Sequence, residues 1–272
     1  MATSTLIKRL NQLADARGAP KGIDSGHFQA FLKASAPQLR TAFCARHSEE
    51  EVFDILCTML VTAQKLSSDP LVELQERDAG TVIRSVMTDQ AFIVDTVMLS
   101  LRTEGVAYHT GFNIVLGMGR NDDGELVSVD SPTDPLESLI YVVTDPLERI
   151  GEFKTQLESN LRLSKAVVGD FEAMTALVEA KSTELLRSST EPTPEREAGF
   201  FLRWLLADNF VFMGTVHGKA RHGLTDKAVK GLTDTTSLDA WEDSGRLVDI
   251  RKAEHESRVH RAGRLDEVRV RL

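Results

Sequence analysis

The sequence predicts an α+β sandwich, a helical layer on a mainly antiparallel sheet, and three features of residues 81–145 predict it. The β-branched run Thr81-Val82-Ile83-Arg84-Ser85-Val86-Met87, bounded by Gly80, has the composition of a buried strand. Val94, Val97, Met98 and Leu101 then recur at helical spacing up to Gly105, with Thr88 or Asp89 as the N-cap. Two more strand-forming stretches follow. Val106 to Arg120 returns through the turn Asn121-Asp122-Asp123-Gly124 into Glu125–Val129, and Glu137 to Thr144 is a further apolar run. Asp145 caps the next helix, with Pro146 at its first position and Glu148 at its third.

Before this stretch the chain is helical. Leu6, Leu10 and Leu13 form one amphipathic face, ended by Gly18, Pro20 and Gly22. Ser25 opens a second helix with Phe28, Phe31 and Leu32, which Pro37 breaks before Leu39 and Phe43. Ser48 and Glu51 form a capping box ahead of Val52, Ile55, Leu56, Met59 and Ala63. Residues 66–80 are turn-rich and are expected to connect helix to sheet.

After it, Leu147, Ile150, Phe153, Leu157 and Leu161 mark one helix. Val167, Phe171, Met174, Val178 and Leu185 mark another, from about Lys165 to Arg187. The polar stretch Ser188 to Thr193 is the best domain boundary. Pro194 opens a helix whose Ala198, Phe201, Leu202, Leu205 and Leu206 face a core, and Asn209 ends it. Phe210 to Val216 alternates as a strand, residues 217–245 read as loops, and Leu247–Ile250 and Leu265–Val270 read as strands. The predicted organisation is a helical segment over 1–75, the sandwich with its trailing helices over 76–187, and a second, incomplete α/β unit over 194–272.

Composition narrows the function. The 272 residues are 42% hydrophobic and 27% charged, ordinary for a globular chain. The net charge of −9 gives no overall excess of Lys and Arg for a phosphate backbone, so nucleic acid is not an expected partner. The eight basic residues of 246–272 alternate with five acids, as on a solvated face. Cys44 and Cys57 form no CxxC and are expected to be reduced thiols. No apolar run reaches membrane-spanning length, and the first residues lack an export signal.

Most chemical motifs fail on spacing. Gly117-Met118-Gly119 runs into a hairpin, where a dinucleotide loop needs a third glycine and a helix N-terminus, so these glycines read as strand-end flexibility. His255 and His260 are five residues apart, and i+5 turns the second ring off the face a zincin helix uses, so no metal site is expected. His109 reads as a hydrogen-bonded structural residue and Asp95 as an exposed one. The loop Thr88-Asp89-Gln90 differs in kind. It joins a strand to a helix N-terminus, where free N–H groups and the helix dipole can receive a carboxylate, although plain helix capping is the commoner explanation of such a loop.

Several ordered blocks resemble the N-terminal region of the large bacterial NAD-specific glutamate dehydrogenases. They are Thr88-Asp89-Gln90-Ala91-Phe92-Ile93-Val94-Asp95-Thr96-Val97, the Gly105-Val106 strand entry, the Asp123-Gly124 hairpin and Glu137-Ser138. Phe201-Leu202-Arg203-Trp204-Leu205, Asn209-Phe210-Val211-Phe212-Met213-Gly214 and Ser257-Arg258-Val259-His260-Arg261 continue the series. Ala91 stands where the family usually has proline. The resemblance implies an ACT-like (ferredoxin-like) sandwich with a regulatory or oligomerisation role, and an amino-acid effector at Thr88, Asp89 and Gln90. It implies a cytoplasmic homo-oligomer, or a partner of the catalytic part, in a family that converts glutamate to 2-oxoglutarate and ammonia with NAD. No catalytic residue, metal or cofactor is expected in this chain, because no dinucleotide fold or catalytic lysine motif follows before Leu272. The expectation is therefore a non-catalytic N-terminal part, whether a natural short homologue or a fragment. The alternative is a stand-alone amino-acid-sensing or protein-interaction module.

Overall fold

The computed structural model describes residues 3–64, 66, 69–78, 80–187, 192–217 and 220–225. The strands expected at 247–250 and 265–270, the histidines at 255 and 260, and part of the 188–193 break lie outside these residues. The chain divides into two compact units, 1–165 and 166–272.

The first unit is a five-stranded antiparallel sheet with helices on both faces. Its strands are β1 (Leu71–Arg77), β2 (Gly80–Thr88), β3 (Tyr108–Arg120), β4 (Leu126–Val129) and β5 (Leu136–Thr144), in the order β1-β2-β5-β3-β4. Because β5 lies between β2 and β3, the helix α5 (Ile93–Glu104) crosses over from one to the other, as in a split βαβ unit. Register follows hydrophobicity, with Ile83 opposite Val142 and Val86 opposite Leu139.

Side-chain alternation sorts the sheet into two cores. Val82, Val86, Phe112, Ile114, Leu139 and Tyr141 pack against α1 (Thr3–Arg17), α2 (Ser25–Ser35), α3 (Thr41–Cys44) and α4 (Glu49–Ala63). Ile83, Met87, Ile140 and Val142 pack against α5 and against Phe153, Leu157 and Leu161 of α6 (Ile150–Gly169). The sequence predicts one helical layer; the N-terminal helices supply a second. Phe28 meets Phe53 edge-on at 5.8 Å, and Phe43 meets Phe112 edge-on at 5.0 Å, joining helices to each other and to the sheet. The Ser48–Glu51 capping box forms as expected.

Several boundaries differ from the sequence reading. β1 occupies part of the expected connector, and only Val72 of it is fully buried, so its polar Glu73, Gln75, Glu76 and Arg77 hide the strand pattern. α2 is capped by Asp24 rather than Ser25; the Asp24 carboxylate accepts from the Gly26 and His27 N–H groups. α6 begins at Ile150, because the Asp145 carboxylate takes His109 Nε2 at 2.7 Å instead of capping a helix. Gly117 and Gly119 are internal to β3, and their role is clearance rather than flexibility. A Cβ on Gly119 would stand 2.1 Å from Ser128 Oγ and 2.7 Å from Asp134 Oδ1.

The second unit contains α7 (Phe171–Arg187) and α8 (Pro194–Trp204), followed by a π-helical turn at Leu205–Asn209 and a hairpin of β6 (Gly214–His217) and β7 (Ala220–Gly223). The helix expected from about Lys165 starts at Phe171, α6 having ended at Gly169, and Phe171 is exposed rather than buried. Ala198 is exposed as well, while Leu202 and Leu205 form the core with Val178. β7 falls in the stretch expected to be loop, since a four-residue strand is too short to show alternation.

Candidate functional site

The loop that leaves β2 is held from three directions. The Asp89 N–H donates to the Leu136 carbonyl at 2.9 Å, tying the loop to the start of β5. Thr88 Oγ1 donates to Asp69 Oδ2 at 2.7 Å and the Thr88 N–H to Asp69 Oδ1 at 3.3 Å. The same Asp69 carboxylate receives the Lys165 ammonium. Gln90 Nε2 donates to Ser164 Oγ at 3.4 Å, and Asn160 Nδ2 to Ser100 Oγ at 3.0 Å, so polar bonds run from loop and α5 to α6. Burial pushes the Asp69 carboxyl up, but Lys165 and Thr88 together outweigh it and leave the group below its ordinary value.

The helix does not begin where the sequence places it. Neither Thr88 nor Asp89 caps α5; its N-cap is Phe92, in the left-handed region at φ 69° and ψ 11°, with no side-chain cap bond. A bulky residue with positive φ is an outlier that costs on the order of 1–3 kcal/mol. The first internal bond is the Thr96 N–H to the Phe92 carbonyl at 2.9 Å. The first-turn N–H groups of Ile93, Val94 and Asp95 therefore have no acceptor within the helix, and the positive end of a twelve-residue helix lies behind them. Phe92 is 51% exposed beside them.

Of the three loop side chains singled out from the sequence, Thr88 and Gln90 are occupied by internal bonds. Asp89 is not. Burial raises its carboxyl above the ordinary value, an effect partly offset by the Gln90 N–H, and among the described residues no cation pairs with it. The arrangement thus offers a carboxylate acceptor, a set of helix N-terminal donors and an exposed aromatic ring within seven consecutive residues, 89–95. That donor and acceptor set complements a zwitterion with an apolar or flexible side chain.

Asp69, Lys165, Ser164 and Phe92 were missed by sequence reasoning. Asp69 and Lys165 lie 19 and 96 residues from their partners Thr88 and Asp69, so no local motif joins them. Among the described residues no group of three or more His, Cys, Asp or Glu is placed to hold a metal ion, and no helix is long and apolar enough to cross a membrane.

Comparison with known proteins bears on the same stretch. Residues 69–161, from Asp69 to the middle of α6, match the family model of the glutamate dehydrogenase ACT1 domain. The NAD-specific glutamate dehydrogenase of Halomonas elongata is 36% identical over 146 residues, covering 49% of this chain and 9% of that protein. The NAD-specific glutamate dehydrogenase of Pseudomonas aeruginosa is 28% identical over 221 residues, covering 70% of this chain and 14% of its own length. The chain therefore spans a small fraction of the relatives it matches. By these matches residues 69–161 are similar to the ACT1 domain of the glutamate dehydrogenases, which supports the chain as an N-terminal region of that family.

Proposed function

We propose that the chain is the non-catalytic regulatory region of an NAD-specific glutamate dehydrogenase, sensing an amino acid at the loop Thr88-Asp89-Gln90 and the start of α5. The observation that carries this reading is the coincidence of the ACT1 match with the sandwich that presents the loop. Asp89 receives the ligand's ammonium group, and the first-turn N–H groups of α5 receive its carboxylate. Thr88 and Gln90 position the loop through Asp69 and Ser164 rather than touching the ligand. Glutamate oxidation to 2-oxoglutarate and ammonia, and the NAD it uses, belong to catalytic domains beyond this chain. The setting is the cytoplasm, and the partners are a further copy of the chain or those catalytic domains.

The test of the non-catalytic part is spectrophotometric. Purified chain mixed with glutamate and NAD is expected to give no absorbance rise at the nicotinamide band. Turnover that follows the protein through purification, and is absent from a control preparation, would contradict the reading.

A further inference from the structure

β3 has a strand on one side only for most of its length. β5 pairs with it from Tyr108 to Gly117, but on the other side β4 covers only Met118, Gly119 and Arg120. An uncovered edge offers its N–H and C=O groups to any extended backbone, and natural sheets block such edges. Here two side chains from the N-terminal helical layer lie on it. The Val115 N–H donates to Gln38 Oε1 at 2.9 Å, and Gln38 Nε2 donates to the Val115 carbonyl at 2.8 Å. Arg46 Nη1 donates to the His109 carbonyl at 2.8 Å.

The bonding at Val115 is that of a strand pair. A side-chain amide carries the same donor and acceptor as a peptide unit, so Gln38 makes the two bonds that one residue of a neighbouring strand would make. Gln38 Nε2 also donates to the Ala34 carbonyl at 3.3 Å, which ties the amide to the end of α2. A second bond confirms which way this edge faces. The Asp130 N–H donates to the Gly117 carbonyl at 2.8 Å, so residues 115 and 117 both turn peptide groups away from β5. The register is unbroken from Thr110 to Gly117, and alternation therefore turns the peptide groups of Gly111 and Asn113 to the same side. Gln38 and Arg46 are themselves exposed, so burial in the core does not explain their placement.

We infer that Gln38 and Arg46 form a strap that seals the outer edge of β3 against an incoming β-strand. What the strap excludes is an extended peptide backbone, because the groups it masks are main-chain groups. Without Gln38, Asn113 and Val115 become consecutive outward-facing residues, each offering one donor and one acceptor. The inference concerns the helical layer and not the loop Thr88-Asp89-Gln90, so either reading can fail without the other.

Residue-resolved amide hydrogen exchange of the full chain, with sedimentation velocity in parallel, tests the strap. In dilute solution the Val115 amide is expected to exchange about tenfold faster or more in Gln38→Ala, while the β5-facing amides of Ile114 and Leu116 keep their rates. At micromolar concentration Gln38→Ala, and more so Gln38→Ala/Arg46→Ala, is expected to associate about tenfold more tightly than the unaltered chain. Adding Val115→Pro to Gln38→Ala removes the N–H that a new strand would use, at an edge position where proline is tolerated, and is expected to reverse the gain. Unchanged exchange at Val115 in Gln38→Ala would overturn the proposal. So would association that the strap variants leave unaltered, or a gain that Val115→Pro fails to reverse.

Discussion

At the scale of single residues, Arg120, Glu137 and Asp69 are charges near the loop that hold the fold. Arg120 of β3 is saturated: Nε and Nη2 meet the Glu137 carboxylate at 2.5 and 2.7 Å, Nη1 meets the Gly124 carbonyl and Nη2 the Ala63 carbonyl, each at 2.8 Å. The two side chains are only 12% and 6% exposed, so removing one partner strands a buried charge. Glu137→Ala is therefore expected to cost about 3–5 kcal/mol in urea unfolding, and a loss below about 1 kcal/mol would contradict the assignment. Asp69 gives a pH signature. Its carboxyl is held below the ordinary value, so its contribution is fully present above the unfolded pKa of about 4 and is lost as pH falls through the lowered folded value. The stability gap between the native chain and Asp69→Asn should be constant near neutrality and shrink below about pH 5. Thermal unfolding at a series of pH values would reveal a gap that instead widened in acid. The two thiols are free, and burial pushes Cys57 to about 11, so neither is expected to be nucleophilic at neutral pH.

At the scale of elements, the sequence was most legible where both faces of a segment are buried. β2 reads as a continuous apolar run because all but its last residue is buried, and β5 is nearly as clear. α5 was found from its spacing, with Gly105 as C-cap in the left-handed region, yet its start was misplaced by three or four residues. Thr88 and Asp89 have the chemistry of N-caps, but their bonds go to Asp69 and Leu136, which no window along the chain can reveal. β1 was missed because an edge strand with one fully buried side chain has no period to detect. The candidate site was legible as a loop but not as a geometry, since the Thr88 and Gln90 side chains bond to Asp69 and Ser164 while Phe92 is exposed. The inward face of α5 was assigned in part: Val97 and Leu101 are buried with Ile83 and Ile140 and Met98 packs against them, but Val94 of the same expected face is 43% exposed. Leu101→Ala is accordingly expected to cost about 2–5 kcal/mol. An unmoved denaturation midpoint would mean that this face does not pack on the sheet.

At the scale of the whole molecule, the first unit buries its sheet on both sides and presents, after the end of β2, a loop strained at Phe92. The N-terminal helices cover one face through Phe28, Phe43 and Phe53, so the sandwich and the helical segment share a core and form one unit. That rigid support gives the left-handed Phe92 its place, because strained residues persist where the surroundings over-determine them. We propose that this support exists to present Asp89 and the start of α5 to an amino acid. Isothermal titration of the full chain with glutamate and the other common amino acids tests it most directly, using Asp89→Ala as the paired variant. The expected result is saturable heat from at least one amino acid, lost or weakened at least tenfold in Asp89→Ala while its unfolding temperature stays unchanged. Absence of heat with every amino acid tried, or binding untouched by Asp89→Ala, would contradict the claim.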